Sequence, residues 1–259
     1  MDASRHLVMI HGLLGSIDYF LPSDRIGDIA VHTPDLLGYS RRHADAGTGT
    51  LTLDRQARHV IAYVRERVGK PVWLLGHSVG GAVAMLAARL EPSLVRGVIS
   101  VEGNFTLNDA FWCRKIGAMS AEDWAAEYAD MQSDPERWLR NGGIEPTAER
   151  IGWAAAILHN QPHATVRSMA RAVVTETAVP EFLRQVRSVI DSGMPVALLA
   201  GETSAAEWDV PDWVRASAKE HAVQRGTGHM MMLEAPAEFC RIVRTLVDGL
   251  GGAAPAERR

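Results

Sequence analysis

The chain has 259 residues, 47% of them hydrophobic and 22% charged, with a formal net charge of -4. That length suits one large core or a core with an inserted lid rather than several autonomous domains, and interspersed charges of both signs leave no basic field for a nucleic acid backbone. The apolar run Leu7–Ile10 is only a strand long, too short for a signal peptide or membrane span, so the expectation is a cytoplasmic protein with no membrane partner.

Leu7 to Ile10 reads as a strand that opens into His11-Gly12-Leu13-Leu14-Gly15-Ser16. Ile29 to Thr33 is a second strand, followed by a turn in which Asp35 reads as a capping residue. Residues 41–50 are polar and glycine-containing, a loop. From Leu53 to Val68 the apolar residues Val60, Ile61, Val64 and Val68 recur at helical spacing, and Gly69 ends the helix. Pro71 leads Val72-Trp73-Leu74-Leu75, a strand apolar on both faces, and Gly81 to Leu90 is an alanine-rich helix apolar nearly all round. Between them Gly76-His77-Ser78-Val79-Gly80-Gly81 must reverse the chain in very little space. Such a turn strains its central residue, and glycines two positions before and after remove side chains that would collide. Ser78 stands at the apex with its hydroxyl exposed.

This G-x-S-x-G between strand and helix resembles the nucleophile elbow of the α/β-hydrolase superfamily. The resemblance implies an α/β fold: a mostly parallel, doubly wound sheet with an inserted helical cap. Ser78 would be the nucleophile. The amides of Val79 and of Leu13, the residue after His11-Gly12, would form the oxyanion hole, the first aided by the helix dipole. His11 then reads as structural. The oxyanion loop arrives almost at once, so the expectation is a sheet without the first two strands of larger members.

Val95 to Val101 reads as the next strand and delivers Glu102-Gly103-Asn104 at its carboxyl end, where ligands gather in such sheets. Residues 104–178 break the strand-helix alternation. Ser120 looks like the cap of one helix and Ser133-Asp134-Pro135-Glu136 opens another, and the segment holds four of the seven tryptophans, Trp112, Trp124, Trp138 and Trp153. An insertion here resembles the helical lid of many family members, giving a core of residues 1–103 and 179–259 and a cap of 104–178. His159 and His163 are four apart, but Pro162 argues against one continuous helix and so against a metal pair. Cys113 and Cys240 have no metal-ligand spacing and read as free thiols.

The core resumes with a helix over Glu181 to Ile190, a strand over Pro195 to Gly201, a helix over Trp213 to Lys219 and a short strand over Ala222 to Arg225. Gly228-His229 follows, with Glu234-Ala235-Pro236 opening a closing helix, Ala235 to Leu250. This resembles the family's histidine loop, making His229 the base. The tail from Gly249 to Arg259 is expected to fray.

A serine hydroxyl needs a neighbouring base, and a carboxylate behind the imidazole fixes its tautomer and steadies its charged form. Most members of the family carry that acid three residues after the glycine ending the seventh strand, where this chain has Ser204. Glu202, Glu207, Asp209 and Asp212 lie nearby, off register. Other branches carry the acid after the sixth strand, the position of Glu102, which is favoured, with Asp209 as the alternative. The expected activity is hydrolysis of a carboxylic ester, lactone or thioester of an apolar small molecule, without cofactor or metal, with Trp112, Trp124 and Met230 against the substrate. The same triad running carbon-carbon hydrolysis, cyclisation or a lyase step, and a non-catalytic binder, are the competing expectations. Substrate identity and oligomeric state stay open.

Overall fold

In a computed structural model of the chain, the structure describes residues 5–42 and 50–251. Six parallel strands form one sheet in the order β2-β1-β3-β4-β5-β6. β1 (His6–Ile10) is followed by a four-residue helix, α1 (Pro22–Arg25), and by β2 (Ala30–His32). α2 (Leu53–Tyr63) starts at Thr52, whose hydroxyl accepts from the Arg55 amide, and runs into a wider turn, Val64–Val68. Gly69 at φ 66° stops it, where a side chain would be strained. β3 (Val72–His77), α3 (Val79–Leu90) and β4 (Val95–Val101) complete the first half of the sheet.

The strand order reverses between β1 and β3, which both leave the sheet at its carboxyl edge. Chain leaving neighbouring strands there turns in opposite directions, so a crevice opens between the two exits. Gly12 follows β1 and Ser78 follows β3.

Five helices lie between β4 and the next core helix: α4 (Phe111–Ala118), α5 (Ala121–Ser133), α6 (Pro135–Asn141), α7 (Ala148–His159) and α8 (His163–Thr177). Ser120 caps α5 by accepting from the Asp123 amide, as the sequence suggests, and within the expected opening at residues 133–136 it is Asp134 that caps α6 by accepting from the Arg137 amide. α7 ends at His159 and α8 begins at His163, since Pro162 supplies no amide to continue the ladder. The chain then forms α9 (Pro180–Asp191), β5 (Val196–Gly201), α10 (Asp212–Ser217), β6 (Glu220–Gln224), a short α11 (Met231–Glu234) and α12 (Pro236–Leu250). α12 takes in Gly249 and Leu250 from the expected frayed tail, and residues 252–259 lie outside the described residues. Most of the 41–50 loop does too.

Alternation along the strands sorts the core into two layers. Val8, Ile10, Leu74, Val98 and Leu198 face α2, α3 and the helices after β4, while Leu7, Met9, Leu75, Ile99 and Leu199 face α12. The first layer includes Trp124, Tyr128, Leu158, Val166 and Met169, so the helices over the carboxyl edge share its core. Truncating one of these residues, as in Leu74→Ala, removes about 2–5 kcal/mol. No helix among the described residues is long and apolar enough to cross a membrane.

Candidate active site

The turn from β3 to α3 can form only because glycines flank it. A Cβ on Gly76 would stand 2.1 Å from the Gly80 carbonyl oxygen, and one on Gly80 would stand 2.4 Å from that of Ile10. Ser78 at the apex has φ 53° and ψ -123°, a conformation costly for any side chain but glycine. Surrounding bonds hold it there: its amide donates to Val101 O at 3.0 Å and its carbonyl accepts from the Asn104 amide at 3.2 Å. Gly12 packs directly beneath, since a Cβ on it would lie 3.2 Å from Ser78 Cβ. Among the described residues, neither the Leu13 nor the Val79 amide has a hydrogen-bond acceptor. Both flank the serine, and Val79 opens α3 where the helix dipole is positive.

Glu102 leaves β4 with φ 40°, so the candidate acid, like the candidate nucleophile, sits in the left-handed region without being glycine. Its side chain is buried, and Oε2 accepts from His229 Nδ1 at 2.6 Å. Oε1 accepts from the Gly201 amide at 2.8 Å and from the Ser204 hydroxyl at 2.6 Å. Burial pushes the carboxyl pKa up, but the bonds from His229, Ser204 and Gly201 together outweigh it and hold the group below the ordinary range. Nδ1 of His229 therefore carries the donated proton, and Nε2 of the neutral ring is left as an acceptor. Asp209 points elsewhere: its Oδ2 accepts from Thr106 Oγ1 at 2.6 Å and Asn108 Nδ2 at 2.9 Å.

The loop bearing His229 is tied at several points. Glu234 Oε1 accepts from the Gly228 amide at 2.8 Å, and Gln224 Nε2 donates to Met231 O and Ala235 O. His77 Nε2 donates to the His229 carbonyl at 2.9 Å, with the two rings 4.6 Å apart. Burial lowers the His77 pKa to about 3, so this ring stays neutral. Sequence reading passed over His77 as the variable residue of G-x-S-x-G; no motif marks a donor whose acceptor lies 152 positions away. His11 is structural, accepting from the Leu36 amide at Nε2 and donating from Nδ1 to Gly12 O, and burial lowers its pKa to about 4.

Ser78, Glu102 and His229 line one cavity of about 520 Å³, together with Gly12, Leu13, Trp112, Trp138, Trp208 and Met230. Among the described residues no protein group hydrogen-bonds the Ser78 hydroxyl, which lines the same cavity as His229. Two of the three expected substrate contacts, Trp112 and Met230, face this space. Trp124 does not. It is fully buried, its Nε1 donates to His163 O at 2.7 Å, and it packs against Tyr128, which makes it a core residue. Trp153 packs on Tyr19, and Cys113 lines the cavity as a thiol whose pKa burial raises to about 12. Among the described residues no group of three or more His, Cys, Asp or Glu is arranged to hold a metal ion.

The chain matches the alpha/beta hydrolase family over residues 7–242. It is 37% identical over 152 residues to a pimeloyl-[acyl-carrier protein] methyl ester esterase of Cronobacter sakazakii, covering 58% of this chain and 51% of that one. The counterpart from Serratia marcescens is 29% identical over 175 residues, 64% of each chain, so the match spans about half to two thirds of these relatives. Among solved structures, MenH from S. aureus superposes with a TM-score of 0.73 at 17% identity, covering 97% of this chain and 96% of that one.

Proposed function

The chain belongs to the alpha/beta hydrolase family, and on that premise we propose that it is a serine hydrolase cleaving a carboxylic ester of an apolar small molecule. The observation that carries this reading is the 2.6 Å bond from His229 to a buried Glu102 carboxylate, opening on the same cavity as the strained Ser78. Ser78 Oγ attacks the ester carbonyl as His229 Nε2 takes its proton, and the amides of Leu13 and Val79 receive the oxyanion. The tetrahedral intermediate collapses to a Ser78 acyl-enzyme, and the leaving alkoxide takes the proton from His229. Water then attacks the acyl group with His229 again as base, which releases the acid and restores the serine. Residues 104–178 act as the cap that closes the apolar side of the cavity. The curated relatives are methyl ester esterases, which supports an ester over a thioester.

The test is covalent and kinetic. A fluorophosphonate is expected to label Ser78, and short-chain 4-nitrophenyl esters to turn over, with both lost in Ser78→Ala. A folded wild-type protein that neither takes the label nor hydrolyses any ester in the panel overturns the reading.

A further inference from the structure

The charge of the cavity lining is one-sided. Apart from Glu102, carboxylates enter it from three directions: Asp109 from the loop before α4, Glu127 from α5 and Glu207 from the turn after β5, while among the described residues no lysine or arginine lines it. The remaining wall is largely apolar, with Leu13, Trp112, Met131, Trp138, Trp208 and Met230. Of the cations nearby, Lys115 Nζ donates to Glu127 at 2.7 Å and offsets that one carboxylate, leaving Asp109 and Glu207 without a cation partner among the described residues, while Arg137 pairs with Asp130 and Arg140 with Glu136 outside the lining.

Asp109 is the carboxylate most firmly built in. Its oxygens accept from Asn104 Nδ2 and the Phe105 amide, both at 3.0 Å, and more weakly from the Thr106 amide at 3.5 Å. Burial raises its pKa to about 6 against those bonds, so it is ionised at pH 8. Asp209 stands behind it and adds charge of the same sign. A ligand carboxylate entering this space would lose water, meet no lysine or arginine among the described lining residues and share the cavity with the carboxylates of Asp109 and Glu207.

We propose that this cavity selects uncharged or cationic acyl chains and rejects anionic ones, with Asp109 and Glu207 as the specificity-determining residues. An apolar chain gains from the tryptophan and methionine wall, and a cationic terminus gains in addition from the carboxylates. An acyl chain ending in a carboxylate or phosphate gains the wall and loses more to desolvation and repulsion. One such charge within the cavity changes an affinity by roughly threefold to tenfold, and two acting together by about 30-fold. The same repulsion helps to expel the carboxylate that ester hydrolysis leaves behind. Only the kinetic half of this proposal rests on the ester-hydrolase reading.

The test uses three 4-nitrophenyl esters of one chain length at pH 8: hexanoate, the adipate monoester with its free ω-carboxylate, and 6-(trimethylammonio)hexanoate. The expected order of kcat/KM is cationic at or above neutral, and neutral above anionic by about 30-fold. In Asp109→Asn and in Glu207→Gln the neutral-to-anionic ratio is expected to fall severalfold; Glu207 is exposed, so that variant serves if Asp109→Asn does not fold. In parallel, quenching of cavity tryptophan fluorescence in Ser78→Ala reports binding of hexanamide and of the adipamate anion. Equal kcat/KM, or equal affinity of the two amides, overturns the proposal. If no ester turns over while hexanamide still binds about 30-fold tighter than adipamate, the hydrolase reading fails and the charge selection stands.

Discussion

Ser204 donates its hydroxyl to Glu102 Oε1 at 2.6 Å. The loop after β5 therefore bonds to a carboxylate instead of supplying one: a hydroxyl stands where most family members carry the acid, and it reaches Glu102, the candidate acid that β4 delivers. Glu102→Gln is expected to lower kcat by about 10³–10⁴, because the amide neither fixes the Nδ1–H tautomer nor steadies the imidazolium. Ser204→Ala removes one of three bonds to that carboxylate and is expected to cost about tenfold or less. Asp209→Asn is expected to leave kcat within about twofold, since Asp209 bonds Thr106 and Asn108. Steady-state kinetics on one good ester checks all three, and a larger loss in Asp209→Asn than in Glu102→Gln reverses the assignment.

His77 positions His229 through its main chain. A hydrophobic replacement leaves the His229 carbonyl without its donor and the loop free to drift. His77→Leu is expected to reduce kcat by about 10–100-fold with little change in KM, and His77→Gln, which keeps an N–H donor, to recover part of the loss. A purely structural role predicts equal losses in the two variants, scaling with thermal stability and not with the donor.

The continuous apolar run Val72–Leu75 behind Pro71 and the apolar stretch Val95–Val101 placed the strands within a residue or two, and Gly69 and Pro162 marked helix ends correctly, because these signals are local. The elbow was legible for the same reason: its glycines are needed within four residues of Ser78. Contacts built by tertiary packing were not. Nothing near Trp124 distinguishes it from Trp112, because which face of α4 or α5 turns toward the cavity depends on how α8 packs beneath them. No motif singles out Asp109, and its place in the lining follows only from the path of the chain after Glu102.

Acid pH is expected to weaken the fold through His77. Burial holds its folded-state pKa to about 3, whereas the unfolded chain takes up a proton near the ordinary value of 6.5. Between those values the unfolded state binds the extra proton, so stability falls as pH drops through 6.5 and goes on falling toward 3, by about 1.4 kcal/mol per pH unit for this one group. His77→Gln lacks that titration. Urea unfolding at pH 7, 6, 5 and 4 is expected to show the wild type losing stability relative to the variant at about that slope below 6.5. Parallel curves for the two proteins would mean that His77 is protonated in the folded state.

Trp124 and Trp112 sit edge to face with ring centroids 6.5 Å apart, yet substitutions in them are expected to act on different quantities. Trp124 is fully buried and bonded to His163 O, so Trp124→Ala is expected to cost about 3–5 kcal/mol of stability. Trp124→Phe keeps most of the volume but leaves the His163 carbonyl unpaired, which costs about 1–3 kcal/mol. Neither is expected to change the preference among acyl chain lengths at a temperature where the variant is folded. Trp112 is only partly buried and lines the cavity. Trp112→Ala is expected to raise KM for hexanoyl and longer esters severalfold while acetyl ester turnover and melting temperature change little, because a short chain does not reach that wall. A chain-length profile that shifts in Trp124→Phe and stays fixed in Trp112→Ala would put Trp124, not Trp112, in contact with the substrate.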